Sequence, residues 1–153
     1  MRKILQTLAL IEKGNKILLG MKKRGFGVGR WNGFGGKVKE GEKIEEAVKR
    51  ELKEEVGILA KKIEEKGVLN FVFDQNPEEI LEVHLFKILD FEGEPRESEE
   101  MRPKWFEKEK IPFDQMWPDD KYWLPIFLNG KKLEGNFYFA DNDKILDYKI
   151  KVI

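Results

Sequence analysis

Polar and apolar positions alternate loosely from Ile4 to Ile11, as along a half-buried strand. Glu12-Lys13-Gly14-Asn15 then reads as a hairpin turn, with Lys16 to Met21 as the returning strand. From Lys43 to Val56 the period becomes helical. No Gly or Pro interrupts that segment, and Ile44, Ala47, Val48 and Leu52 fall on one apolar stripe. Gly41 precedes it, and Gly57 stands where a left-handed residue would stop a helix. Strands are predicted again at Gly67 to Asp74 and Ile80 to Phe91, joined by Gln75-Asn76-Pro77-Glu78, and at Pro103 to Glu107. Tyr122 to Leu128 reads as a second helix with Pro125 near its first turn. Asn136 to Ala140 and Lys144 to Val152 form a closing strand pair.

The first helix breaks its own pattern. Toward its C-terminal end the stripe holds Glu51 and Glu55, four residues apart, with Glu54 on the flank. Like charges at that spacing repel, and carboxylates on a buried face are costly unless neutralised. Two readings follow. Either the stripe is tilted and the glutamates rim the core, or they meet a divalent cation. Three carboxylates within one turn make an oxygen cluster suited to Mg²⁺, or alternatively Mn²⁺, rather than to softer metals.

Composition narrows the class. A chain of 153 residues supports one core, so a single domain spanning 1–153 is expected. Lys and Arg total 29 against 29 Asp and Glu, which removes the basic surplus of a general nucleic-acid or membrane-surface binder. Without cysteine there is neither a disulfide framework nor a thiolate zinc site. No apolar run approaches the roughly 20 residues of a membrane span. The stretch MRKILQTLALIEKG is interrupted by charge too early for a signal peptide. A soluble, cytoplasmic protein is expected.

The loops carry further candidates. Lys22 to Asn32 is basic and glycine-rich, but its G-x-G-x-G spacing does not match a dinucleotide fingerprint, and no helix opens there. It reads either as a loop that lets cations and backbone approach a polyphosphate or as a plain mobile loop. The one histidine, His84, lies in a strand and is left outside the site. Glu92 to Glu100 reads as a solvated acidic connection. Asp119 and Asp120 precede the second helix, where the bland role is capping.

Gly36, Glu42, Arg50-Glu51-Leu52, Glu54-Glu55 and Gly57-Ile58 reproduce the spacing of the Nudix box, with nine fixed positions over twenty-three residues, and the chain resembles that hydrolase family. The resemblance implies an α/β Nudix fold, an α/β/α sandwich with a mixed central sheet, whose box helix holds Mg²⁺. It also implies hydrolysis of a nucleoside diphosphate linked to another group. The segments LLGMKKRGFGVGRWNGFGGKVKEGE, ESEEMRPKWFE, MWPDDKYW, GNFYF and ILDY resemble the branch of the family that hydrolyses oxidised purine nucleoside triphosphates. That branch takes 8-oxo-dGTP and 2-hydroxy-dATP to the monophosphate and pyrophosphate.

Matched residue by residue, Asn32, Asp119 and Asp120 stand at the base edge. Trp117 and Phe26 line the base slot, with Thr7, Phe71 and Leu81 around them. Leu81 departs from the methionine usual in that branch. Lys22 matches the phosphate or sugar side. Gly36, Glu51, Glu54, Glu55 and Glu100 match the metal set, Glu55 or Glu100 the general base, and Arg50 a partner orienting Glu54. The implied partner is a small nucleotide, not a nucleic-acid polymer or a membrane, and the implied state is a monomer. Two rivals stay open: a Nudix enzyme for another nucleotide, and a silent nucleotide-binding module, although such modules typically lose box glutamates.

Overall fold

Burial alternates at every residue along β7 (Leu133–Phe139): Leu133, Gly135, Phe137 and Phe139 face inward, while Glu134, Asn136 and Tyr138 face out. The computed structural model, which describes residues 1–153, extends that pattern across one mixed sheet. Its other strands are β1 (Arg2–Lys13), β2 (Lys16–Lys22), β3 (Trp31–Asn32), β4 (Leu59–Phe73), β5 (Glu79–Glu92), β6 (Met101–Glu107) and β8 (Ile145–Val152). The order is β3-β2-β1-β5-β4-β7-β8, with β6 paired to β2. β1 runs parallel to β5, and β4 to β7; the remaining pairs are antiparallel.

Neighbouring residues in a strand point to opposite faces, so the sheet divides the core in two. Leu10, Leu19, Leu85 and Phe137 pack with Trp123, Leu124 and Phe127 of helix α2 (Asp120–Leu128). Ile11, Leu18 and Phe86 pack with Val48, Leu52 and Val56 of helix α1 (Ile44–Val56). This is the expected layered α/β architecture. Gly57 ends α1 with φ 72°, as its position predicted.

Three features, in two elements, differ from the sequence expectation. β4 starts at Leu59, not Gly67, because charged residues and register shifts between Ala60 and Gly67 obscure its alternation. Helix α2 starts at Asp120, which places Pro125 inside it rather than in its first turn. Neither aspartate caps that helix: Asp119 occupies the N-cap position without a side-chain bond to the backbone.

The feature that positions the site is a splayed hairpin. β1 and β2 pair only at Ile11–Leu18, Glu12–Ile17 and Lys13–Lys16. Beyond that, β2 takes up β3 through Gly20–Asn32 and Met21–Trp31. The freed edge of β1 is met by the next segment: Ala9 N–H donates to the Phe34 carbonyl (2.6 Å) and Thr7 N–H to that of Gly36 (2.9 Å). Residues 31–38 therefore run inside the opened cleft. Backbones this close exclude a side chain, since a Cβ on Gly35 would lie 1.8 Å from the Thr7 carbonyl oxygen.

Candidate functional site

The cleft holds a cavity of about 230 Å³. All nine residues expected to meet the substrate line it: Thr7, Phe26, Asn32, Phe71, Leu81, Trp117, Asp119 and Asp120 for the base, and Lys22 for the phosphate or sugar side. Gly36 and Glu55 line it as well. Pockets that enclose a whole drug-sized ligand run to roughly 300–1,000 Å³. This one suits a single flat heterocycle whose remaining groups lie outside.

Its walls are aromatic. Period two along β4 puts Phe71 and Phe73 on one face, and Phe139 on the parallel neighbour β7 joins them. Trp117 meets Phe73 and Phe139 edge-on, with centroids 6.1 Å apart in each case. Phe26, between Gly25 and Gly27 that both hold positive φ, stacks on Trp117 at 5.0 Å. Asn32 Oδ1 accepts the Gly33 N–H (2.8 Å), which leaves its amide nitrogen as a donor to the cavity.

Two aspartates close the slot. Asp119 and Asp120 are each 3% exposed. Trp123, one helical turn on, donates its indole N–H to Asp119 Oδ2 (2.8 Å) and Asp120 Oδ1 (3.2 Å). Burial raises both acids, and the charge of Asp119 pushes Asp120 well above the usual carboxylate range. Two such groups cannot both ionise, so the pair retains a proton. Asp120 Oδ2 and Thr7 Oγ1 are buried without any hydrogen-bond partner. Orphaned polar atoms lining a cavity are satisfied when a polar ligand edge arrives.

The box carboxylates lie at the other end of the cleft. Glu55 is 2% exposed, and its Oε1 accepts the Gly35 N–H at 2.8 Å. Burial, then the charge of Glu51, raises it from 4.5 to about 8, against the pull of Lys22. Glu51 is raised too, by burial first and by Glu54 and Glu100 among its neighbours. A Cβ on Gly36 would come within 2.8 Å of the Glu51 carboxylate, so glycine makes room for that side chain.

Arg50 does more than orient Glu54 (3.2 Å). It also binds Glu42 through two nitrogens, Glu51 (2.8 Å) and the Lys37 carbonyl. Glu54 is exposed and Glu100 half-buried, the latter facing Arg24 at 3.7 Å. No three of these acids converge into a ready-made cation cage. The donor set nevertheless fits a hard divalent cation. It is all oxygen, and its members raise one another's pKa, which a bound cation would reverse.

The Glu55 shift carries a pH prediction for the metal-free protein. Between 4.5 and about 8 the unfolded chain is ionised at this residue while the folded chain keeps the proton. Stability is therefore fully present below 4.5 and falls as pH rises to about 8, by an amount on the order of 3–5 kcal/mol from this group. Urea melts across that range, compared with Glu55→Gln, should show a steep wild-type decline and a flatter variant. Parallel curves would contradict the shift.

Sequence reasoning missed Phe73, Phe139 and Trp123. Phe73 was accessible as the i+2 neighbour of Phe71, and Trp123 as the i+4 neighbour of Asp119. Nothing local marked Phe139.

A NUDIX domain profile matches residues 3–127. The chain belongs to the Nudix family. Nudix hydrolases generally use divalent metal ions, in keeping with the oxygen donors above. The chain is 51% identical to the oxidized purine nucleoside triphosphate hydrolase of Mus musculus over 149 residues, covering 97% of this chain and 95% of that one. It is 49% identical to the protein of the same name from Danio rerio, over 95% and 93% of the two chains. Among solved structures, a MutT protein from Bacillus halodurans superposes with a TM-score of 0.84 at 30% identity, covering 97% of each chain. No helix of this Nudix hydrolase is long and apolar enough to cross a membrane.

Proposed function

We propose that this Nudix hydrolase cleaves oxidised purine nucleoside triphosphates, 8-oxo-dGTP and 2-hydroxy-dATP among them, to the monophosphate and pyrophosphate, acting as a single-domain cytoplasmic monomer. One observation carries the reading: a buried aspartate pair, with an orphaned oxygen, closes a slot walled by aromatic rings. A purine is a flat apolar face with a polar rim. Stacking on Trp117 contributes roughly 1–3 kcal/mol and does not distinguish bases, so the rim must supply identity. A protonated aspartate donates and an ionised one only accepts. Shifting one proton between Asp119 and Asp120 would let the pair complement either an 8-oxoguanine or a 2-oxoadenine edge. The identity to the mouse and zebrafish hydrolases supports the same substrate class.

The triphosphate would then extend past Lys22 toward the box. Mg²⁺ held there by Glu51, Glu54, Glu55, Glu100 and the Gly36 carbonyl would neutralise phosphate charge and acidify water. Glu55 is our choice for general base. Its Oε1 is fixed by Gly35, and its other oxygen makes no hydrogen bond, which leaves it open to a water proton. Glu100, near the same place but more exposed, is the alternative. Comparing kcat/KM for 8-oxo-dGTP, 2-hydroxy-dATP, dGTP and dATP, with Mg²⁺ and with chelator, tests the proposal. Preference for the oxidised pair, abolished by chelator, is expected. Equal rates on all four would point to another Nudix substrate, and no turnover to a silent binding module.

A further inference from the structure

Trp117, with Phe26 and Gly27, lines two cavities: the slot, and an open groove also lined by Arg30, Met116, Pro118 and Asp143. Arg30 and Asp143 line only the outer one. From there the Arg30 guanidinium lies over the indole, its carbon 4.1 Å from the ring centroid. Its Nη1 donates to Asp143 Oδ2 at 3.0 Å, joining residues 113 positions apart. Both partners are partly shielded, with side chains 28% and 34% exposed.

The ion pair links three separate parts of the site. Arg30 ends the glycine loop and directly precedes β3, which carries Asn32. Asp143 occupies the turn between β7 and β8 with φ 61°. Trp117 belongs to the short connection before α2, where no strand or helix holds it.

We infer that Arg30, anchored by Asp143, is a positioning residue that braces Trp117 from behind as the rigid wall of the slot and thereby sets affinity for the purine. An isolated exposed ion pair would contribute little. A planar cation on an indole face, held by a second group, does more: it fixes the ring's orientation before the base arrives, so binding need not supply that order. The brace touches neither the phosphates nor Glu55, so its loss should affect KM and spare kcat.

The inference rests on the proposed reading that a purine stacks on Trp117. Its test uses whichever triphosphate the wild type turns over best, so it stays decisive whatever the base preference proves to be. Arg30→Met keeps the side-chain length but removes the cation, and KM is expected to rise about tenfold with kcat within about twofold. Arg30→Lys keeps the charge without the planar fork and should recover part of the loss. Asp143→Asn preserves the turn, because asparagine tolerates the left-handed region, and should raise KM roughly threefold. Combining Arg30→Met with Asp143→Asn should be no worse than Arg30→Met alone, as for two members of one unit. An unchanged KM in Arg30→Met, a matching fall in kcat, or additive losses in the double variant would overturn the brace. Should Arg30→Met fail to fold, Asp143→Asn decides by the same KM and kcat readout.

Discussion

Glu55→Gln is expected to lower kcat by roughly 10²- to 10⁴-fold while leaving affinity for the base nearly unchanged. Glutamine is close to isosteric and can still accept the Gly35 N–H that now reaches Glu55 Oε1 at 2.8 Å. What it cannot do is take a proton. The aromatic slot and the aspartate pair come from other elements, so they should keep their shape. Single-turnover rates at saturating Mg²⁺, beside calorimetric affinity for 8-oxo-dGMP, separate the two effects. A variant that retains wild-type kcat would move the base assignment to Glu100. A variant that loses base affinity as strongly as rate would show that Glu55 supports the slot itself.

Asp119→Asn should have the second large effect, and it should be unequal between substrates. Asparagine always offers a donor and an acceptor, but no proton can be exchanged with Asp120. The pocket then keeps one hydrogen-bond pattern instead of choosing between two. A mismatched edge leaves a buried polar group unpaired, which costs about 1–3 kcal/mol, or roughly 5- to 150-fold. One of the two oxidised purines is therefore expected to lose kcat/KM by such a factor while the other changes less. Unchanged kcat/KM for both would refute proton exchange as the source of broad specificity.

Much of the architecture was legible where burial follows a strict period. Helix α1 ended at the glycine that predicted its end, and both hairpin strands of the first third were found. The first half of β4 was not legible, because exposed Lys61, Lys62 and Glu65 are mixed with a buried Lys66 and register shifts break the alternation. Pro125 misled for a different reason: it lies within α2, although prolines prefer a helix's first turn.

For the site, residue matching picked out nine side chains that the fold brings together around one cavity. The interactions between those residues were beyond the sequence. The forked Trp123 N–H stays within one turn of α2 and depends on side-chain orientation, whereas the Arg30–Asp143 pair joins distant parts of the chain, and the unpartnered Asp120 oxygen shows only once the cavity around it is formed. The flawed stripe divides: Glu55 lies inside at 2% exposed, while Glu51 is partly buried beside Arg50.

A crystal soaked with 8-oxo-dGMP and Mg²⁺ puts the whole reading at risk in one measurement. The purine should lie flat against Trp117, its edge within about 3.2 Å of oxygens from both Asp119 and Asp120, and its phosphate should be directed past Lys22 toward Glu55. A base outside the slot, or a phosphate far from glutamates that face open solvent, would contradict it.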